Sequence, residues 1–350
     1  MISLAETGDH ETEAGCEQPD LRGKGTEMKK FVGNGIKTLA LPVIVYGIFL
    51  CISFQRFANW NCVTTIFMQS IVPTVTAYSV AFGNICGVFD FTVGSRLIIS
   101  GVVGGLFASR FGIVGMFAGA ILSAIAFSLL TALLNRYLRI PSLVLTIGLT
   151  MIFEVTGAKL AGHYGFVQIP MEYAIFGSAP NIYIVFAIAA VLFYFLLNRT
   201  VFSYHLRAIG SDELVAKNSG IPTDLVKMKS FVYGSIFLAL AAILTLSQSG
   251  SVGSQTNLGS VTIFFKPLIS ILLGLVLQRV CDLTIGIFAA QFTLNTIFIG
   301  LIGIGMPDTF QNVVLGIFLL VVMVLFENSD LISKWKNKSK IIRSWQKANG

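Results

Sequence analysis

The chain has 350 residues, 55% of them hydrophobic and 12% charged, with 24 Lys and Arg against 17 Asp and Glu and a formal net charge of +7. An ordinary soluble domain carries about 25% charged residues, and a mean hydropathy of +0.80 excludes that class in favour of a polytopic membrane protein. Apolar runs near ~20 residues recur without the alternation of a β-barrel. An all-α bundle is therefore expected, because lipid leaves no other way to satisfy the backbone.

Residues 1–35 differ in composition and are expected to form a disordered tail. Glu6, Asp9, Glu11, Glu13, Glu17 and Asp20 make it acidic, opposite to the basic start of a secretory signal. The stretch MKKFVGNGIKTLALPVIVYG from Met28 is basic and then apolar, and marks a second candidate start. His10 and Cys16 have no further His or Cys at ligand spacing, so no metal site is expected. Cys51, Cys62, Cys86 and Cys281 are scattered and read as small core residues.

About ten spans follow across a transmembrane domain at 36–326: Ile36–Phe54, Thr64–Phe82, Val93–Ser109, Gly112–Leu134, Pro141–Ala158, Asn181–Leu197, Phe231–Leu246, Val261–Leu277, Leu283–Ile304 and Phe310–Phe326. Arg136 and Arg139 follow the fourth span, Arg199, Arg207, Lys217, Lys227 and Lys229 the sixth, and Lys334, Lys336, Lys338, Lys340, Arg343 and Lys347 the last. Positive loops stay in the cytoplasm, so both termini are expected inside, with a cytoplasmic loop at 198–230 and a basic tail at 327–350. The opposite loops hold only the isolated Arg56, Arg110 and Lys159. The pI near 9.2 thus reflects topology in a multi-pass protein of the cytoplasmic (inner) membrane, and no nucleic-acid partner is expected.

Two stretches place acids at span entrances. Asp90 opens DFTVG and Asp282 opens DLTIG. At the cytoplasmic start of span three Asp90 is expected to reach interface water and to cap exposed N–H groups. Thr92, Gly94 and Ser95 complete that helix entry, and Asp282 with Gly286 repeats it ahead of span nine. Anchoring is favoured over direct solute contact. Gly94, Gly101, Gly104 and Gly105 then permit close helix contact.

The 198–230 loop contains the next signal. Ser211 is expected to cap a helix of about two turns. Asp212 and Glu213 favour its positive end, Leu214, Val215 and Ala216 supply apolar contacts, and Gly220 closes it before Pro222. Two readings stay open, a docking helix and an ordinary capped loop helix. A solute path needs inward polar groups, and Gln69, Asn84, Glu154, Gln248, Gln291 and Asn295 are the candidates. Gln291 and Asn295 share a helical face; interhelical hydrogen-bonding glue is the alternative for each.

No G-x-x-x-x-G-K-[ST], H-E-x-x-H or G-x-S-x-G occurs, and the three His are far apart. The chain is therefore expected to be no enzyme, with no catalytic residue and no cofactor, and to take any pumping energy from another subunit. A secondary carrier or facilitator working without ATP, and a scaffold that has lost transport, remain open.

RAIGSDELVAKNSGI resembles the internal loop of sugar-type ABC importer permeases, the ribose-permease group, through Ala208, Gly210, Ala216, Ser219, Gly220 and Ile221. VFDFTVGS is similar to that family's G-I-D-L-S-V-G-S signature at Asp90, Val93, Gly94 and Ser95, with Thr92 in place of Ser. RIPSLVLTIGLTMI resembles its I-P-x-F-I-x-T-L-G segment at Ile140, Pro141, Thr146 and Gly148. The resemblance runs in order from about Thr64 to Phe326. Asp212 stands where the family usually has Asn, and Glu154 where it often has Arg. The Gly-rich stretch before the penultimate span keeps only Gly274 and Gly286. The resemblance implies an ABC importer permease for a sugar or sugar-like solute, such as a pentose, hexose, nucleoside or signalling sugar. It also implies three partners: a second permease subunit (identical or not), an ATP-binding subunit and an extracytoplasmic solute-binding protein.

Overall fold

The structure, a computed structural model, describes residues 41–138, 140–278 and 281–327. The acidic tail, the Met28 start, His10, Cys16 and the basic C-terminal tail lie outside the described residues. Helix α1 (Leu41–Ile52) is followed by a single turn, α2 (Phe54–Phe57), and by α3 (Trp60–Ile85). Then come α4 (Val93–Leu138), α5 (Ser142–Ala161), β1 (Phe166–Gln168) and a 3-10 helix at Met171–Gly177. The rest is α6 (Asn181–Asn198), α7 (Val201–Ser211), α8 (Glu213–Asn218), α9 (Thr223–Ser249), β2 (Ser251–Gly253), α10 (Val261–Leu277), α11 (Leu283–Gly303) and α12 (Asp308–Glu327).

Helix α4 is two helices joined at Gly112, whose φ of 66° and ψ of −153° break the helical path. The arms fold back on each other. A Cβ added to Gly104 would lie 3.1 Å from the Ala120 Cβ, and one on Gly119 would lie 3.0 Å from the Phe107 Cβ. The small residues let the two backbones close, as they do between helices in lipid. Among the described residues, six helices (α3, α4, α5, α6, α9 and α11) are long and apolar enough to cross a membrane, with this hairpin counted once, and α1 and α10 are shorter apolar helices. The chain is an all-α polytopic membrane protein.

Helices α3 and α9 form the centre, with about two thirds or more of their apolar windows buried. Gly234 of α9 meets the Ser79 carbonyl of α3, where an added Cβ would come within 2.7 Å. Tyr78 stacks on Phe193 at 4.2 Å, with Phe82 and Phe237 around them. Its hydroxyl donates to the Thr284 carbonyl at 3.1 Å, so the one polar atom of this aromatic cluster is satisfied. Helix α6 is apolar all round yet buries only the stripe Ile182, Ala189, Phe193 and Leu197. Ile184, Ile188, Val191 and Phe195 on its other faces stay exposed, the pattern of a helix at the rim of a bundle in lipid.

The strands β1 and β2 pair antiparallel with Val167 opposite Val252, a ribbon that the sequence reading did not include. Three residues each are too few for alternation to register. The ribbon packs on the first arm of α4, where Gly101 faces Val252 and Gly105 faces Val167. Gly112 faces the Tyr173 hydroxyl, so ribbon, 3-10 helix and hairpin turn share one end of the bundle.

Candidate functional site

Asp90 is 6% exposed, and its expected place at interface water is corrected. One carboxylate oxygen accepts from the Thr92 N–H at 3.0 Å and the Thr92 hydroxyl at 2.6 Å. The other is ion-paired with Arg96, itself 2% exposed, whose guanidinium also donates to Ser128 on the second arm of α4. Ser128 lies about 15 Å along that arm from Leu138 at ~1.5 Å per residue, so the pair sits well inside the bundle. The residues before Val93 run inward before the helix begins. Arg96 was missed in the sequence, although a lone Arg in VGSRLIIS is a signal of its own, since an intramembrane charge needs a partner.

Glu154 lies about 18 Å along α5 from Ser142 by the same rise and is 5% exposed. Its oxygens accept from the Leu258 N–H at 2.9 Å, the Ser260 N–H at 2.8 Å and the Ser260 hydroxyl at 2.6 Å. Helix α10 therefore starts inside the protein. The N–H of its N-cap residue Ser260, the N–H of Leu258 in the entering loop and the positive dipole end meet a buried carboxylate from another helix. The loop entering it passes through Asn257 and Leu258 at φ of 57° and 62°, a conformation unusual for side-chain-bearing residues. Gly94 packs beside this start, because a Cβ there would fall on the Ser260 carbonyl. Non-helical backbone inside a membrane fold is tolerated where it is buried in protein or lines a cavity; here Ser260 is buried, while Gln255, Thr256 and Asn257 are exposed and Gln255 lines a cavity.

That cavity is a cleft of about 460 Å³ between α3, α4, α9, β2, α10 and α12. Pro73 in α3 and Pro267 in α10 line it, and each deprives the carbonyl four residues earlier of its helical donor. Its polar wall includes Thr76, Thr245, Thr262, Gln255 and Lys266. Lys266, unnoticed in the sequence because it is a single charge in TIFFKPLIS, carries the cleft's one cation among the described residues.

None of the six path candidates lines the cleft. Gln291 accepts from Ser270 of α10, and Asn295 donates to Ser70 of α3 at 2.9 Å, so this pair ties three helices together. Gln69 and Gln248 are exposed and Asn84 is half-buried. Glu154 supports the cleft from behind by fixing the loop that contains Gln255.

At the opposite end α7 and α8 follow α6. Helix α7 was not separated from the loop in the sequence reading, although Ser203, Leu206 and Ile209 mark its buried face. Ser211 ends α7, and the cap of α8 is Asp212, one residue later than expected. Its carboxylate accepts from the Leu214 N–H at 2.8 Å and the Val215 N–H at 3.0 Å, which a Ser at 211 cannot reach once it belongs to the preceding helix. Gly220 has φ +83°, and the Ile221 N–H donates back to the Ala216 carbonyl at 3.1 Å, closing the helix with a Schellman motif. Ala216 is buried while Leu214 and Val215 are 73% and 60% exposed, and Glu213 pairs with Lys227 of α9. A cavity of about 520 Å³ beside α8 is lined by Arg136, Lys217, Asp224 and Lys227, so this end is polar and net positive. Asp282 caps α11 by accepting from the Thr284 N–H at 2.9 Å and also accepts from Asn198 at 2.7 Å.

The model of the family described as branched-chain amino acid transport system / permease component matches residues 62–323. Among curated proteins, the chain is 24% identical over 306 residues to the autoinducer 2 import system permease protein LsrC of Yersinia pseudotuberculosis serotype O:3 (strain YPIII), covering 85% of this chain and 86% of that one. It is 24% identical over 310 residues to the protein of the same name from Yersinia enterocolitica serotype O:8, covering 86% and 85%. No solved structure matches. The chain belongs to this family of permease components of ABC importers. It is a multi-pass protein of the inner membrane with a transport role, not an enzyme.

Proposed function

We propose that this chain is the membrane-spanning subunit of an importer for a sugar-like solute, driven by ATP that a partner subunit hydrolyses. The α8 helix carries the reading. It is capped at both ends, and it leaves Leu214 and Val215 in solvent beside a positively charged cavity. An isolated helix of six residues is marginal in water, and these caps hold it in shape for an apolar partner groove. The basic lining of that end fits the cytoplasmic side, which puts the ribbon end outside and both termini inside a bundle of about ten spans. The solute then enters from an extracytoplasmic binding protein and passes the proline-lined cleft. Its wall of threonine hydroxyls and one glutamine suits a polyhydroxylated molecule, the class to which an autoinducer 2-like sugar belongs. A second permease subunit completes the path.

The test is the Leu214→Asp protein, which touches no span and is expected to reach the membrane at normal abundance. A charge placed in an apolar interface without a partner costs several kcal/mol, on the order of 3–5, so ATPase co-purification and ATP-driven uptake should both be lost. Undiminished association and uptake would make α8 an ordinary loop helix. Uptake by the purified chain alone under a pH gradient would instead establish a secondary carrier.

A further inference from the structure

We infer that the solute carries an anionic group, a carboxylate or a phosphate ester, which the Lys266 ammonium receives in the cleft. This rests on the importer reading and narrows its substrate class. Lys266 lies on α10, about 9 Å along the helix from Ser260 at ~1.5 Å per residue. Two ion pairs occur among the described residues, Asp90 with Arg96 and Glu213 with Lys227, and neither includes Lys266. Its ammonium lies over the Phe298 ring, 4.3 Å from the centroid, which attracts a cation without neutralising it.

Glu154 of α5, which meets the start of this helix, is not available. Both of its oxygens are engaged by Leu258 and Ser260. The other polar groups named in the wall are neutral: Thr76, Thr245, Thr262, Ser251 and Gln255. A positive charge in a membrane fold is costly unless it meets a counter-charge or serves a ligand. Among the described residues no counter-charge meets Lys266, and the cleft has room for one. Each neutral wall group can bond the hydroxyls of a sugar-like solute, while only Lys266 discriminates its charge.

The experiment uses the full chain in lipid nanodiscs and calorimetric titration with D-gluconate, ribose 5-phosphate and neutral D-ribose. One acid is expected to bind saturably and in preference to ribose, and the better acid tells carboxylate from phosphate. Lys266→Met should weaken that binding about ten- to hundredfold, the range of a charge-assisted hydrogen bond, while Lys266→Arg retains most of it. Preference of the unaltered chain for ribose over both acids overturns the proposal without any variant, as does failure of both acids to bind. Equal acid binding by the unaltered and Lys266→Met chains also overturns it. Thermal midpoints of Lys266→Met and Lys266→Gln confirm that the variants fold. Should ATP-driven uptake fail in the assembled transporter, the importer reading falls while the titration still stands; neutral-solute uptake with no acid binding removes only this inference.

Discussion

The same five-residue pattern, Asp, apolar, Thr, apolar, Gly, enters two helices of this protein and ends in two different environments. At both places one Asp oxygen accepts the N–H of the Thr two residues on, at 3.0 Å for Thr92 and 2.9 Å for Thr284. That bond is local, so the pattern alone secures it. The other oxygen is claimed by tertiary structure. At Asp90 it meets the buried Arg96, and at Asp282 it meets the neutral amide of Asn198, whose own oxygen accepts from Arg207 at 3.1 Å. A capping motif fixes a helix start, and its surroundings decide whether the charge becomes part of a buried ion pair or a surface link.

The largest effect should come from breaking the buried pair. Asp90→Ala leaves the Arg96 guanidinium in the bundle without a counter-charge, and is expected to cost about 3–5 kcal/mol in a mixed-micelle unfolding titration. Replacing both partners, Asp90→Leu with Arg96→Met, should recover most of that loss, since two apolar side chains need no desolvation. Additive losses in the double variant would show that the pair is not an energetic unit, and would erase the contrast with Asp282.

Next is Gly94→Ala, where the new methyl would fall on the Ser260 carbonyl and lie 2.9 Å from its carbon. Backbone must move at the start of α10, and overpacking of this kind costs about 1–3 kcal/mol. Uptake should fall with stability, because the displaced segment leads directly into the cleft wall. Normal uptake at reduced stability would separate the α10 start from the transport path.

These two positions also mark the limit of what the sequence made legible. Helices were visible because apolar runs of span length need no tertiary information, and the break near Gly112 showed as Arg110 between two such runs. The α8 helix was visible through its caps, although the cap itself moved from Ser211 to Asp212 because α7 absorbed Ser211. What stayed hidden depends on residues far apart in the chain. Glu154 meets Ser260 across 106 positions, and no spacing rule joins them. Arg96 and Lys266 were each overlooked as single charges in apolar runs, where rarity itself is the signal. The six path candidates were chosen for polarity alone, and polarity cannot tell a group that faces a cleft from one that bonds a neighbouring helix.

At the second site the effects should be smaller. Asp282→Ala removes a cap and the link to Asn198 at a partly exposed position, for about 0.5–2 kcal/mol. Asp282→Asn should retain most of the stability, because an amide oxygen caps nearly as well as a carboxylate. The unfolding titration that measures Asp90→Ala gives the comparison directly. A loss at Asp282 as large as that at Asp90 would mean that the Asn198 link carries more than a surface hydrogen bond.

The smallest effect, and the sharpest check on the comparison, belongs to Gly286→Ala. Gly286 holds the same place after Asp282 that Gly94 holds after Asp90, yet an added Cβ would meet the Gly274 carbonyl at 3.2 Å and the Cys281 sulfur at 3.4 Å. Those contacts are tight without overlapping, and a shift of a few tenths of an ångström relieves them. Against that cost stands the helix preference for Ala over Gly, roughly 0.5–1 kcal/mol. The opposing terms are of similar size, so the variant should stay within about 1 kcal/mol of the unaltered chain. Helix α10 can give at Gly274, which lies in its last turn, whereas its start is held by three hydrogen bonds that Glu154 accepts, two from Ser260 and one from Leu258. Paired unfolding titrations of Gly94→Ala and Gly286→Ala therefore measure how rigidly each end of α10 is fixed. Equal losses would mean that the Glu154 clamp adds no rigidity to the helix start, and the distinction between the two entry motifs would reduce to the charge on Arg96.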